Sequence, residues 1–135
     1  MIIREWRGRA RPSLAGAYVN HFHARVIPEL AAVPGFRGAC LMQRRAGDFV
    51  EFLVLTRWAS MEAIRGFAGA DVEKAVIEPA AERALSSFDA HVRHYEIVEE
   101  IASEARAAEA EDTGAEVNDG TRATTIVRAV LVSRN

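Results

Sequence analysis

One cysteine, Cys40, among 135 residues rules out an internal disulfide. A chain of this kind fits a reducing cytoplasm, with Cys40 read as small apolar filler in a strand. No apolar run approaches the about 20 residues that span a bilayer. The charged opening MIIREWRGR is not a signal peptide, so no membrane association is expected. There is no glycine-rich phosphate loop, no GxSxG elbow and no cysteine set for zinc. A basic excess is missing too. The net charge is −2, made of 13 basic and 10 acidic side chains in residues 1–95 against 4 and 9 in residues 96–135. Neither part carries the footprint of a nucleic-acid-binding protein.

What is present is enough apolar material for one domain: half the residues are hydrophobic and 27% are charged. The stretch FVEFLVLTRW, residues 49–58, is apolar on both faces of a strand. Val50, Phe52, Val54, Thr56 and Trp58 fall on one side, and Phe49, Glu51, Leu53, Leu55 and Arg57 on the other. Such a strand has to be covered twice.

Before it, residues 2–9 predict a first strand. A helix follows from Ser13, with Leu14, Tyr18, Val19, Phe22, Val26, Leu30 and Val33 as its apolar stripe and Pro28 as the point of a kink or restart. Pro34 and Gly35 end it, and residues 36–45 form a second strand in a hairpin with 49–58. Ser60 is placed to cap a second helix that closes near Gly69. Residues 70–78 predict a further helical turn or two, Pro79 the start of a short helix, and 88–98 a fourth strand. The order β-α-β-β-α-β is that of the ferredoxin-like α+β fold, with both helices on one face of an antiparallel sheet. The cheapest cover for the other face is a second copy, which predicts a homodimer whose two sheets close on each other.

Residues 1–98 thus form one domain. The remaining 99–135 differ in character: an Ala- and Glu-rich stretch to 112, a polar turn-rich linker, and a β-branched segment, TTIVRAVLV, at 124–132 that predicts a strand docked on a sheet edge.

The residues IPEL, VPGFRGACLMQRR, VEFLVLTRWASMEAIRGFAG and FDAHVRHYEIV together resemble the antibiotic biosynthesis monooxygenase domain of the dimeric α+β barrel superfamily. The resemblance covers roughly residues 1–98. It implies a barrel made by two copies and, in one branch, a cofactor-independent monooxygenase acting on a small electron-rich aromatic or polyketide-like compound. In that branch the deprotonated substrate itself passes an electron to oxygen, so no cofactor is expected, and a dry pocket with a base and aromatic walls suffices. A heme-degrading branch is disfavoured. Its pattern places a Trp and a His where this chain has Phe67 and Ile77, and its first-strand Asn has no counterpart in IIREWRGR. The same fold also hosts non-catalytic small-molecule-binding and stress-associated proteins, which is the second reading.

The resemblance directs the pocket to the helix-covered face, with Tyr18 and Phe22 from the first helix, Phe67 from the second and Trp58 at the strand-to-helix junction. Each also has a plain core reading, which for Trp58 is a hydrophobic plug. His94, on the more apolar face of the fourth strand with Glu96 two residues along, is the candidate catalytic base; its bland alternative is a satisfied structural histidine. No metal is expected. His21 and His23 project about 200° apart on a helix, and His91 and His94 point to opposite faces of a strand. His21 and His23 read as surface or rim residues. Arg4, Arg7, Arg9, Arg44 and Arg45 read as a solvated rim rather than an anion site.

Overall fold

β1, Ile2–Ala10, alternates in burial along its length: Arg4, Trp6, Gly8 and Ala10 are buried, and their neighbours are partly exposed. Period-2 geometry assigns the first set to the helix-covered face. In this computed structural model residues 1–103 are described, and Met1–Val98 make one compact unit. The expected segments beyond residue 103, the docked strand at 124–132 among them, lie outside the described residues. Glu99 to Ser103, the start of the Ala- and Glu-rich stretch, have no regular structure.

β2 (Phe36–Ala46) and β3 (Phe49–Trp58) form the expected hairpin through Gly47 and Asp48, and β3 pairs antiparallel with β1 along all of β1. Gly47 takes φ 64°, a left-handed conformation that suits glycine in so tight a turn. The sheet order is β2-β3-β1-β4, with β5 also on β1. The fold is ferredoxin-like α+β. Of β3, Val50, Phe52, Val54, Thr56 and Trp58 are buried under the helices, while Leu53 and Leu55 on the other face are only partly covered.

The first helical run is continuous but changes pitch. α1 (Pro12–His21) passes into a π-helical turn, Phe22–Val26, and then α2 (Ile27–Ala31). The Ile27 amide bonds back to the Phe22 carbonyl, one residue further than in an α-helix. Pro28 has no N–H to offer, so the wide turn sits where the α pattern would lose a bond. This is the restart that Pro28 predicts. Tyr18, Phe22 and Leu30 of the stripe are buried, whereas Leu14 and Val19 are exposed.

α3 (Met61–Ala68) is capped by Ser60, whose Oγ accepts from the Ala63 amide at 3.1 Å. Its start packs against Gly35, where any Cβ would collide with that of Ala63. α4 (Pro79–Ala84) begins at the expected proline.

Three expectations need correction. Residues 71–78 are not helical, and the fourth strand is broken into β4 (Ser87–Phe88) and β5 (Arg93–Glu96). The two departures share one cause. Residues 90–92 leave β1 and exchange backbone bonds with 73–75 instead: Ala75 donates to Ala90 at 2.9 Å, and Val92 to Glu73 at 2.8 Å. The Trp6 indole takes the Asp89 carbonyl at 2.8 Å. Amides and carbonyls committed to a strand-like bridge are not free to make a helix. Third, Cys40 is exposed in the single chain, because it lies on the sheet face that carries no helix.

Candidate active site

Between the sheet and the helical layer lies a cavity of about 100 Å³. Arg4, Trp6, Val54 and Thr56 rise from the sheet, Tyr18, His21, Phe22 and Val26 come from the first helical run, and Phe67 from α3. Glu29, Glu78 and Ile77 complete the wall. The π-turn widens the helix at Phe22, so that Phe22 and Val26 both reach the cavity.

Tyr18 packs its ring 4.8 Å from that of Phe52 and 6.1 Å from Trp6. Only 4% of it is exposed, and its hydroxyl makes no hydrogen bond among the described residues. Burial pushes its phenol well above the ordinary range, because ionisation would put a charge in an apolar site. Tyr18 therefore stays protonated and keeps a donor to offer.

Arg4 is the cation of the site, and 6% of it is exposed. Its Nη1 donates to the Val72 carbonyl at 2.7 Å and its Nη2 to the Lys74 carbonyl at 3.0 Å. The guanidinium lies 5.7 Å from the Phe67 ring centroid, a cation–π contact. It forms no ion pair with a carboxylate among the described residues. Desolvation lowers its pKa to about 10, and the side chain remains charged at neutral pH. Arg4 is thus not part of a solvated rim. The signal was present in the sequence, since period-2 alternation puts it in one row with Trp6, Gly8 and Ala10.

His94 is partly buried and lies on the same sheet face, paired with Arg4 across β1 and β5. It does not line the cavity; it lines a separate shallow depression with Glu73 and Tyr95. Its Nε2 is 3.0 Å from Arg4 Nη1. An arginine can only donate, so Nε2 accepts and the proton sits on Nδ1. Desolvation, then the Arg4 charge, lower the His94 pKa, with Glu73 opposing them, and the ring is neutral. Glu96, the expected companion of His94, is exposed and pairs with Ile2 instead.

Trp58 has no exposed surface and is not among the residues that line the cavity. Its Nε1 donates to Thr56 Oγ1 at 2.8 Å, and its ring stacks on Phe67 at 5.6 Å. It backs the wall that Phe67 presents. Tyr18, Phe22 and Phe67 are brought together at the cavity, Trp58 lies behind them, and His94 reaches them through Arg4.

The group that sequence reasoning missed is His21 with two carboxylates. The His21 side chain is 8% exposed, and its Nε2 lies 3.4 Å from Glu78 Oε1. That separation is an ion-pair distance, but the alignment is too poor for a hydrogen bond, which leaves Nε2 buried without one. Glu29 joins them: a hydrogen bond that its protonated form donates to Glu78, desolvation and the Glu78 charge all raise its pKa, against the opposing charges of Arg25 and His21. Helical spacing from Tyr18 could have shown His21 turning inward. Nothing local could have shown that residues from α2 and from the approach to α4 would meet it. Among the described residues, no three or more histidine, cysteine or carboxylate side chains are arranged to hold a metal.

Solved structures share this architecture. An antibiotic biosynthesis monooxygenase assignment from Bacillus cereus superposes with a TM-score of 0.54 at 17% identity, covering 76% of this chain and 97% of that one. A mutant of SnoaB, a cofactor-independent oxygenase from Streptomyces nogalater, gives 0.54 at 20% identity over 76% and 97%. The heme-degrader MhuD from Mycobacterium tuberculosis, with two hemes bound in its active site, gives 0.50 at 21% over 76% and 100%. At these identities the likeness concerns the fold. No curated protein sequence matches the chain. No described helix is long and apolar enough to cross a membrane. Residues 1–79 match the antibiotic biosynthesis monooxygenase family, to which the chain belongs.

Proposed function

We propose that the protein is a cofactor-independent monooxygenase acting on a small electron-rich phenol or polyketide-like aromatic. The observation that carries this reading is Arg4, a buried cation without a carboxylate partner among the described residues, set in a cavity beside the rings of Trp6, Tyr18, Phe22 and Phe67. A cation so placed favours an ionised oxygen over a neutral one, because Coulomb attraction is strong where water is excluded. An ionised phenol is the form that gives an electron to dioxygen. One oxygen atom then enters the ring as a carbonyl and the other leaves as water, with the substrate supplying every electron. Tyr18 donates to the substrate, Phe22 and Phe67 sandwich it, and Trp58 holds Phe67 in place. His94, kept neutral, orients the Arg4 guanidinium and acts on the site through it. The cavity is on the order of the ~150 Å³ apolar voids that accept benzene, so it takes one ring and leaves any fused rings at the mouth.

The open sheet face supports a homodimer, and a chain with one cysteine fits the reducing cytoplasm. Ile3, Cys40, Met42, Leu53, Leu55 and Tyr95 lie together on it, with Met42 38% and Tyr95 50% exposed. A contiguous apolar patch on a sheet with no helix over it favours a second sheet as cover.

The test is oxygen uptake with a panel of dihydroxyaromatics and anthrone, without added flavin or metal and with chelator present. Uptake with one labelled atom of dioxygen in the product is expected. Binding without uptake across the panel would favour the non-catalytic binding reading. Hemin titration separates the heme-degrading branch. Phe67 and Ile77 both line the cavity where that branch has Trp and His, so no ligated Soret band is expected.

A further inference from the structure

The cavity has two chemically opposite poles. Arg4 on the sheet floor is one. His21, Glu29 and Glu78 belong to the helical layer and supply the other. The Arg4 pole serves the proposed oxidation. The acidic pole is used by nothing in that reaction.

This second pole is more than a pair of acids, because a buried imidazole belongs to it. The His21 side chain is more than nine-tenths buried, and its Nε2 is turned to Glu78 at 3.4 Å yet has no hydrogen bond. A buried polar atom left in this state is a cost that a bound group can relieve. Glu29 lies at the exposed edge of this pole, where hydrogen bonding to Glu78 and the Glu78 charge raise its pKa against the opposing charges of Arg25 and His21. An imidazole nitrogen without a hydrogen bond beside the Glu78 carboxylate, with Glu29 at the exposed edge, can take a hydrogen-bond donor or a cation.

We propose that His21, Glu29 and Glu78 form a second polar subsite that binds a donor group, an ammonium or a hydroxyl, on the far side of the substrate ring from the oxygen held by Arg4. The substrate class is then an amino- or hydroxy-substituted phenol rather than a phenol with an apolar or acidic tail. This rests on the phenol-oxidising reading for one pole only; the acidic pole stands on its own geometry.

Calorimetric titration with three one-ring probes tests it. Tyramine carries both groups, para-ethylphenol lacks the ammonium, and phenethylamine lacks the phenol. Tyramine is expected to bind about tenfold more tightly than para-ethylphenol, the scale of a charged hydrogen bond that is partly open to water. Glu78→Gln should abolish that gap while leaving para-ethylphenol binding unchanged. Glu78 caps no helix through its side chain, so the variant keeps its fold, and an unaltered melting temperature checks this. Equal binding of tyramine and para-ethylphenol to the wild type, or a gap that survives both Glu29→Gln and Glu78→Gln, overturns the proposal. Phenethylamine keeps the two readings apart. If it binds and loses affinity in Glu78→Gln while phenols do not respond to Arg4→Gln, the acidic subsite stands and the oxidase reading falls.

Discussion

The two faces of the sheet treat the same residue type in opposite ways. On the open face Arg7, Arg9 and Arg44 pair with Glu5, Asp89 and Glu51 and stay partly in water. On the covered face Arg4 gives its protons to two backbone carbonyls and an imidazole, and burial pulls its pKa down to about 10. Three residues along β1 separate the buried Arg4 from the partly exposed Arg7. The difference is one of solvent: on the covered face the helices remove the water that screens charge on the open one.

The largest expected contrast concerns Phe52 and Leu53, neighbours on opposite faces of β3. Phe52 has no exposed surface, and Phe52→Ala should cost about 3–5 kcal/mol in urea unfolding. Leu53→Glu should leave the chain folded but halve the mass seen by light scattering, because an unpaired carboxylate would be buried against a partner sheet. A monomeric wild type would break the comparison, since the open face would then need no cover.

A smaller effect is expected from the arginines. Arg4→Gln should weaken phenol binding by roughly ten- to a hundredfold, the scale of a lost charge-assisted hydrogen bond. Arg7→Gln should change it less than about twofold, since exposed ion pairs contribute little. Equal effects in the two variants would show that the covered face confers no special electrostatics.

His94 sharpens the comparison at the smallest scale. Its folded pKa lies below the unfolded value of about 6.5, so the unfolded chain binds its proton first as pH falls. The stability this gives is present above about pH 6.5 and is lost as pH falls through the folded pKa. His94→Gln should flatten that limb of the pH–stability curve by less than about 1 kcal/mol, because the ring is only partly buried. Since His94 orients Arg4, the same variant should lower phenol affinity as well, and a shift in stability without one would leave it a structural residue.

Much of the fold was legible. Period 2 in residues 49–58, helical spacing through Tyr18, Phe22 and Leu30, the Ser60 cap and the Gly47 turn are local signals, and each led to its element. That Tyr18, Phe22 and Phe67 would line a cavity rather than fill the core came from the family resemblance, since spacing alone reads them only as apolar positions facing inward. The break in the fourth strand was not, because it follows from residues 73–75 competing for backbone bonds that sequence proximity had assigned to β1.

By itself the sequence determined the periodicities, the turns, the ferredoxin-like order and a sheet with two apolar faces, since these depend on neighbours a few residues apart. Only the tertiary structure decided that Arg4 would meet His94 from the other end of the domain, and that His21, Glu29 and Glu78 would converge at one cavity. Desolvation and mutual charge act through space, and no local pattern records which distant groups will meet at one site.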